Sequence, residues 1–180
     1  MLTRPPKRTL LPVSNDDYER LRQHLRPHRQ EYLDAAIFTG LRRTELESIE
    51  RRHCDLTAQD IRILGGSLGR SRFVPLPRCL RAIAERSASG LLLVPWTYLN
   101  RDLHAACAAV GIEPRTFSDV RETFAARQRA AGKSEAEIAR CMGRAQPDDD
   151  EREDLKSGMR RVLYYTFFLR TQVEKLLVHD

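Results

Sequence analysis

Residues able to bind a phosphate group are grouped in the segment Thr39–Leu46, which reads Thr-Gly-Leu-Arg-Arg-Thr-Glu-Leu. Gly40 permits a sharp backbone turn before a helix start. Arg42 and Glu45 are spaced i and i+3 and would share one helix face, so the carboxylate can orient the guanidinium. An arginine oriented in this way presents a planar fork to a phosphate. Because such a pair is also typical of an exposed helix surface, the interpretation depends on the other segments.

Two further segments carry an arginine, one within a predicted helix and one directly after a predicted helix. Residues 117–125 read Phe-Ser-Asp-Val-Arg-Glu-Thr-Phe-Ala and contain Arg121. Residues 134–144 begin with a serine cap followed by glutamates, which is typical of a helix N-terminus, and they end on Arg144. Each of these arginines is also compatible with an ordinary exposed helix position.

A β-hairpin is predicted between the first two arginine segments. Ile61–Leu64 alternates weakly in hydropathy, Gly65–Gly69 interrupts the pattern, and Phe73–Leu76 resumes an apolar run. This order is typical of two short strands joined by a glycine-rich turn. Arg70 and Arg72 would lie on the hairpin.

The rest of the chain is predicted to be mainly α-helical. Helix signals at Ser14 and Pro27 open the first two helices. Predicted helices cover about 14–25, 27–40, 42–50, 79–88, 96–110, 117–131, 134–143 and 156–178. Residues 156–178 carry a stripe of large apolar groups, which favours core or dimer packing.

The 180-residue length predicts one domain with a sizeable core. Residues 1–13 are proline-rich and basic, so they are predicted to form a flexible arm, and residues 14–180 to form the domain. Residues 148–154 are acidic and are predicted to be a solvated loop.

The net charge of +6 favours a polyanionic partner, although a merely basic protein explains it equally well. Most of the positive charge is arginine, which binds phosphate in a bidentate manner; a GC-rich genome would give the same bias. Lysine occurs at only four positions, which are Lys7, Lys133, Lys156 and Lys175.

The cysteines and the N-terminus restrict the cellular setting. Cys54, Cys79, Cys107 and Cys141 are far apart and form no CxxC pair, so we expect free thiols in a reducing cytosol and no metal site. The chain has no hydrophobic signal core and no apolar run long enough to span a bilayer. It is predicted to be cytoplasmic, encoded by a bacterium, phage or plasmid, and without contact with a membrane.

The segments, taken in order, resemble the signature boxes of the phage-integrase, or tyrosine recombinase, family. Thr39–Leu46 is similar to the first box, and Phe117–Ala125 to the box that reads roughly His-x-x-Arg-His-Thr-Phe. Ser134–Arg144 resembles the segment that ends Leu-Gly-His, and Arg72–Leu76 resembles the strand Arg-x-Val-Pro-Leu. The resemblance extends from residue 14 to about residue 170 and covers the catalytic domain of that family.

The resemblance implies the catalytic-domain fold of the DNA breaking-rejoining enzymes, mainly α-helical with a small β-hairpin, and double-stranded DNA as the partner. In that chemistry two arginines stabilise charge on the phosphate and a tyrosine forms the covalent intermediate. Arg42 and Arg121 match the two arginines, and Glu45 matches the residue that orients Arg42. Tyr165 fits the Tyr-Thr of the family best as nucleophile, and the adjacent Tyr164 is the substitute.

Three positions that handle protons or brace the phosphate in the family are occupied differently here. Ser118 stands where the family has histidine, Arg144 where it has histidine or tryptophan, and Ser67 where it has lysine. Neither serine nor arginine exchanges a proton readily near neutral pH. Because the loss of one general acid or base costs roughly 10²–10⁴-fold in rate, we expect little or no strand transfer.

The sequence therefore predicts a DNA-binding protein with a degenerate recombinase domain, regulatory or accessory in role and without a cofactor. Arg42, Arg121 and Arg144, with Arg70 and Arg72 of the hairpin, are predicted to contact backbone phosphates. One alternative is a minimal, active site-specific recombinase or invertase that forms a phosphotyrosine intermediate. Another is a protein-interaction module that docks, or self-associates, through its C-terminal helix.

Overall fold

The computed structural model describes residues 8–64 and 71–144. The helices in these ranges are α1 (Asn15–His24), α2 (Pro27–Thr39), α3 (Arg43–Leu46), α4 (Arg78–Arg86), α5 (Leu99–Ala109), α6 (Phe117–Ala130) and α7 (Glu135–Cys141). The strands are β1 (Cys54–Asp55), β2 (Asp60–Ile63) and β3 (Arg72–Pro75), and a 3₁₀ turn covers Arg51–His53. The predicted fold class, mainly α-helical with a small sheet, is confirmed.

Polar caps begin several of these helices where the sequence predicted them. Ser14 accepts a hydrogen bond from the Asp17 backbone N–H at 3.1 Å. Ser134 begins α7 with a capping box, in which its side chain accepts from the Glu137 backbone and Glu137 accepts from the Ser134 backbone. These contacts pair N–H groups that have no partner within the first helical turn.

The three strands form an antiparallel sheet in the order β1-β2-β3. Ile61 lies opposite Val74, and Arg62 lies opposite Phe73, which confirms the predicted hairpin. Strand β1 was not predicted because its two residues are too few to show an alternating pattern. The predicted hairpin turn, with Ser67 and Arg70, lies outside the described residues.

The central element of the core is α2, in which seven residues are buried. Tyr32 of this helix packs edge-to-face against Trp96, with ring centroids 5.7 Å apart. Asp34 is also buried, and it accepts hydrogen bonds from the Tyr18 hydroxyl at 2.7 Å and from Arg22 Nε at 3.1 Å. Helix α6 packs on α2, so the segments that carry Arg42 and Arg121 are neighbours in the fold.

Helix α3 ends at Leu46, whereas the sequence analysis extended it to about residue 50. The backbone beyond it pairs with the chain near residue 91 instead of continuing a helix. The Leu92 N–H donates to the Ile49 carbonyl at 2.9 Å, and the Arg51 N–H donates to the Gly90 carbonyl at 3.0 Å. These tertiary hydrogen bonds replace the helical ones, and no local sequence pattern announces them.

Residues 8–13, which the sequence analysis assigned to a flexible arm, are bound to α6 in the structure. The Leu11 N–H donates to Asp119 Oδ1 at 2.9 Å, and the Val13 N–H donates to Thr123 Oγ1 at 2.8 Å. Arg8 forms an ion pair with Asp119 at 3.2 Å. The segment before α1 is therefore attached to the helix that carries Arg121.

The predicted acidic loop at 148–154 and the predicted C-terminal helix at 156–178 lie outside the described residues. The domain boundary at 14–180 and docking through that helix therefore stay predictions. Within the described part of the chain, no helix has the length and apolar character needed to cross a membrane.

Candidate functional site

Four arginine side chains lie together, and we call Arg42, Arg72, Arg121 and Arg144 the arginine cluster. In that order, they come from the start of α3, from strand β3, from helix α6 and from the segment after α7. Three of them donate to the carbonyls at the end of α7. Arg72 Nε binds the Cys141 carbonyl at 3.0 Å, Arg121 Nη2 binds Met142 at 3.1 Å, and Arg42 Nη2 binds Gly143 at 2.6 Å. The last carbonyls of a helix lack helical partners and carry partial negative charge, so they hold cations well.

Two glycines shape the backbone around the cluster. Gly40 ends α2 with φ +63°, and its carbonyl accepts from Arg121 Nε at 2.9 Å. A Cβ on Gly40 would lie 2.5 Å from Phe124 Cδ1. Gly143 follows α7 with φ +66°, and a Cβ there would lie 2.9 Å from the Arg72 guanidinium carbon. Both positions therefore require glycine, for backbone conformation and for space.

Glu45 is the main carboxylate partner of Arg72. The two side chains form a bidentate pair, with Nη1–Oε1 and Nη2–Oε2 both at 2.9 Å, and only 13% and 12% of their side-chain surfaces are exposed. Glu45 also accepts the Arg42 backbone N–H at 2.7 Å, whereas its Oε1 lies 3.8 Å from Arg42 Nη1. The predicted pairing of Glu45 with the Arg42 side chain is present, but it is longer than the pairing with Arg72.

The hydrogen bonds around Glu45 alter its ionisation. Burial by itself would raise the pKa of Glu45, but the hydrogen bonds from Arg72 and from the Arg42 backbone outweigh burial and lower the pKa. The carboxylate therefore stays ionised at neutral pH and keeps Arg72 neutralised.

Arg121 is surrounded by the other three arginines of the cluster. Burial lowers its pKa, and the charge of Arg144 lowers it further; Glu45 raises the pKa in part, Arg42 and Arg72 lower it, and the result is a value of about 10. The guanidinium remains protonated at neutral pH. A group destabilised by burial and by like charges gains stability when an anion binds beside it, so the electrostatics favour an anionic ligand here.

Arg144 lies at the exposed side of the cluster, with 44% of its side-chain surface accessible. Its Nη1 is 3.6 Å from Glu122 Oε2. Neither Glu122 nor the α7 carbonyls could be identified from the motifs. A glycine at the end of a predicted helix marks where the helix stops, and therefore which carbonyls lack helical partners.

The other predicted site residues are not part of this geometry. Ser118 is exposed in the first turn of α6, three residues before Arg121. Ser67, Arg70, Tyr164 and Tyr165 lie outside the described residues. Among the described residues, no group of three His, Cys, Asp or Glu side chains is arranged to hold a metal ion.

The solved structures that superpose on this chain include recombinases and integrases. The XerA recombinase superposes with a TM-score of 0.65 at 20% identity, over 78% of this chain and 58% of that chain. A lambda integrase dimer bound to a COC′ core site superposes with a TM-score of 0.63 at 16% identity, over 80% of this chain and 47% of that chain. The integrase of mycobacterium phage Brujita superposes with a TM-score of 0.61 at 21% identity, over 88% of this chain and 60% of that chain. This chain has the fold of a tyrosine-recombinase catalytic domain.

The predicted resemblance to the tyrosine-recombinase catalytic domain is thus confirmed at the level of the fold. The chain spans about half to three-fifths of the length of these three structures. No protein-family model matches the sequence, and no curated protein matches it either. Because the tyrosine-recombinase fold carries different functions according to its site residues, the function has to be inferred from the arginine cluster.

Proposed function

We propose that this protein binds double-stranded DNA through Arg42, Arg121 and Arg144 of the arginine cluster and acts as a regulatory or accessory factor with little or no strand transfer. The observation that carries the proposal is the way in which Arg42 and Arg121 are held. Both guanidiniums donate to backbone carbonyls, at Gly143 and at Gly40. A neutral carbonyl fixes a guanidinium without cancelling its charge, so these hydrogen bonds leave both arginines positive for a phosphate, and Arg42 has Glu45 Oε1 only at the longer distance of 3.8 Å.

The charge balance around these arginines supports the same ligand class. The nearby carboxylate Glu45 binds Arg72 through two hydrogen bonds and also lies 3.8 Å from Arg42 Nη1. A single carboxylate does not balance the charges of Arg42, Arg72 and Arg121 together. Phosphates of a duplex would supply the missing negative charge and release counterions as they bind. Among proteins of the same fold, the lambda integrase dimer is bound to a core site and the XerH recombinase to a difH substrate.

We propose little or no strand transfer because two positions of the site lack an effective proton donor. Ser118 and Arg144 replace histidine in the resemblance, and neither residue type is an effective general acid near neutral pH. Phosphate binding needs only charge and geometry, whereas expulsion of a 5′ oxygen needs a proton as well. The described site therefore supports binding better than catalysis.

Duplex binding by single-arginine variants tests the proposal. We expect Arg42→Ala and Arg121→Ala each to weaken binding at low salt by roughly 10- to 100-fold, since each removes charged hydrogen bonds to phosphate. Arg81→Ala is the matched control, because Arg81 is an exposed arginine that pairs with Glu85 within α4. Gel-shift or anisotropy titrations measure the affinities, and a thermal melt shows that Arg121→Ala is folded. Unchanged affinity in both cluster variants would sink the proposal.

A second candidate function is site-specific strand transfer through Tyr165. The convergence of Arg42 and Arg121 on the end of α7 favours it, because a strand transferase needs two arginines on one phosphate. A nicked suicide duplex tests this candidate directly. A covalent protein–DNA adduct on a denaturing gel that is lost in Tyr165→Phe, and retained in Tyr164→Phe, would replace the accessory role with an active recombinase.

A further inference from the structure

Glu122 lies between two arginines at the edge of the arginine cluster. It follows Arg121 in α6, and only 15% of its side-chain surface is exposed. Its Oε1 accepts from Arg129 Nη1 at 2.9 Å, and its Oε2 is 3.6 Å from Arg144 Nη1. One carboxylate therefore faces a guanidinium on each side.

The backbone of Arg144 is fixed independently of Glu122. Its N–H donates to the Ala139 carbonyl at 2.7 Å, directly after the left-handed turn at Gly143. The Arg144 side chain thus begins at the same turn whose carbonyl binds Arg42. It also directly follows the Met142 and Gly143 carbonyls that bind Arg121 and Arg42, and its charge lowers the pKa of Arg121.

Arg144 and Arg121 carry like charges and repel each other, and the half-exposed side chain of Arg144 can turn towards solvent. An attraction on the other side is needed to keep it beside Arg121. Glu122 supplies that attraction, and 3.6 Å is longer than an N–H···O hydrogen bond. The pairing therefore orients Arg144 through charge, while Arg129 holds the carboxylate in place from behind.

We propose that Glu122 is a positioning residue that holds Arg144 beside Arg121, so that a DNA phosphate meets Arg42, Arg121 and Arg144 together. The inference rests on the proposed function, because it concerns how the same cluster grips DNA. Glu122 would not touch the phosphate; it would act through Arg144. Removal of its charge would then weaken DNA binding, although the loss of a negative group ordinarily strengthens the binding of a polyanion.

The salt dependence of duplex binding tests this role, because its slope counts the phosphate contacts. We expect the slope of log K against log salt concentration to fall by roughly one in Arg144→Gln and by a similar amount in Glu122→Gln. The slope of the double variant should fall no further than that of either single variant, because both changes remove the same phosphate contact. A purely structural role for Glu122 would alter the melting temperature and leave the slope unchanged.

Glu135→Gln is the matched control. Glu135 is a carboxylate that pairs with the same Arg129, with Oε2 at 3.1 Å from Nη2, so the substitution makes the same charge change in the same network. We expect it to change the slope less than Glu122→Gln does, because Arg144 is only the weakest of the causes that lower the pKa of Glu135. Glu122→Asp retains the charge on a shorter side chain and should give a slope between those of wild type and Glu122→Gln; it also decides the question if Glu122→Gln does not fold.

The outcomes separate this inference from the proposed function. If Glu122→Gln binds DNA more tightly than wild type with an unchanged slope, the carboxylate merely repels phosphate, and the positioning role is overturned while DNA binding through Arg42 and Arg121 stands. If wild type shows no salt-dependent duplex binding, the proposed function and the positioning role fall together.

Discussion

Arg72 and Arg121 belong to the same arginine cluster, but different oxygens hold them. The Arg72 guanidinium faces the carboxylate of Glu45 through two hydrogen bonds of 2.9 Å. Arg121 donates instead to the neutral carbonyls of Gly40 and Met142. The carboxylate neutralises the charge of Arg72, whereas the carbonyls only fix the orientation of the Arg121 guanidinium. A cluster of like charges can thus contain one member that stabilises the fold and another that remains available to a ligand.

The two arginines also differ in the charge of their partners. The pKa of Glu45 is lowered, so this carboxylate stays ionised beside Arg72. Arg121 donates to carbonyls rather than to a carboxylate, and burial together with the neighbouring arginines lowers its pKa. We expect substitutions around Arg72 to change mainly the free energy of unfolding, and substitutions of Arg121 to change mainly the affinity for DNA.

The largest effect on stability is expected from Glu45→Ala. The substitution leaves the Arg72 guanidinium largely buried without its carboxylate, and the loss of one partner of a buried pair costs about 3–5 kcal/mol. Glu85→Ala is the control, because its pair with Arg81 is exposed and contributes about 0.3–0.5 kcal/mol. Denaturant unfolding measures both. If the two variants lose similar free energies, Arg72 does not depend on Glu45 and the contrast with Arg121 disappears.

A smaller effect is expected from Gly143→Ala, which forces a methyl group against Arg72. Gly132 provides the matched control, since it also has positive φ, +81°, but open space where a Cβ would lie. Gly132→Ala should cost about 1–2 kcal/mol for the left-handed backbone alone. Gly143→Ala should cost about 1–3 kcal/mol more, because Arg72 is tied to Glu45 and Cys141 and cannot move aside freely. Equal losses in the two variants would mean that Arg72 is not held in place.

The smallest effect is expected in the loss of stability at acidic pH. A carboxyl group whose folded-state pKa is lowered contributes stability above its unfolded pKa, and that contribution is lost as the pH falls through the folded pKa. Glu45 is such a group. From about pH 6 to about pH 3, unfolding free energies should therefore fall less steeply for Glu45→Gln than for wild type. Parallel curves for the two proteins would contradict the ionised pair.

Much of the fold could be predicted from local patterns. Helix α6 begins at Phe117 with a Thr116 cap, and α7 begins after Ser134, both close to the predicted starts. Such signals are local because a capping side chain bonds to backbone only a few residues away. Strand β1 could not be predicted because two residues are too few to show an alternating pattern. The early end of α3 could not be predicted because the backbone after it bonds to residues about 40 positions away, at Gly90 and Leu92.

Part of the arginine cluster could be identified from the sequence, while its role in DNA binding stays a prediction. The positions of Arg42 and Arg121 were identified from the order of motifs, and the fold brings both to the end of α7. The spacing of Arg42 and Glu45 suggested a pair, yet the carboxylate binds Arg72 from β3 more closely. Sequence spacing reports only which side chains share a helix face, and it contains no information about a strand that packs against that face.

The sequence by itself determined the number and type of positive groups, the helix caps and the glycines that allow left-handed turns, because these depend on residue chemistry and short-range bonding. Only the tertiary structure decided which arginine is neutralised and which keeps its charge. That choice depends on whether a carboxylate or a carbonyl lies within about 3 Å of each guanidinium, and α6, α7 and β3 set those distances by packing together.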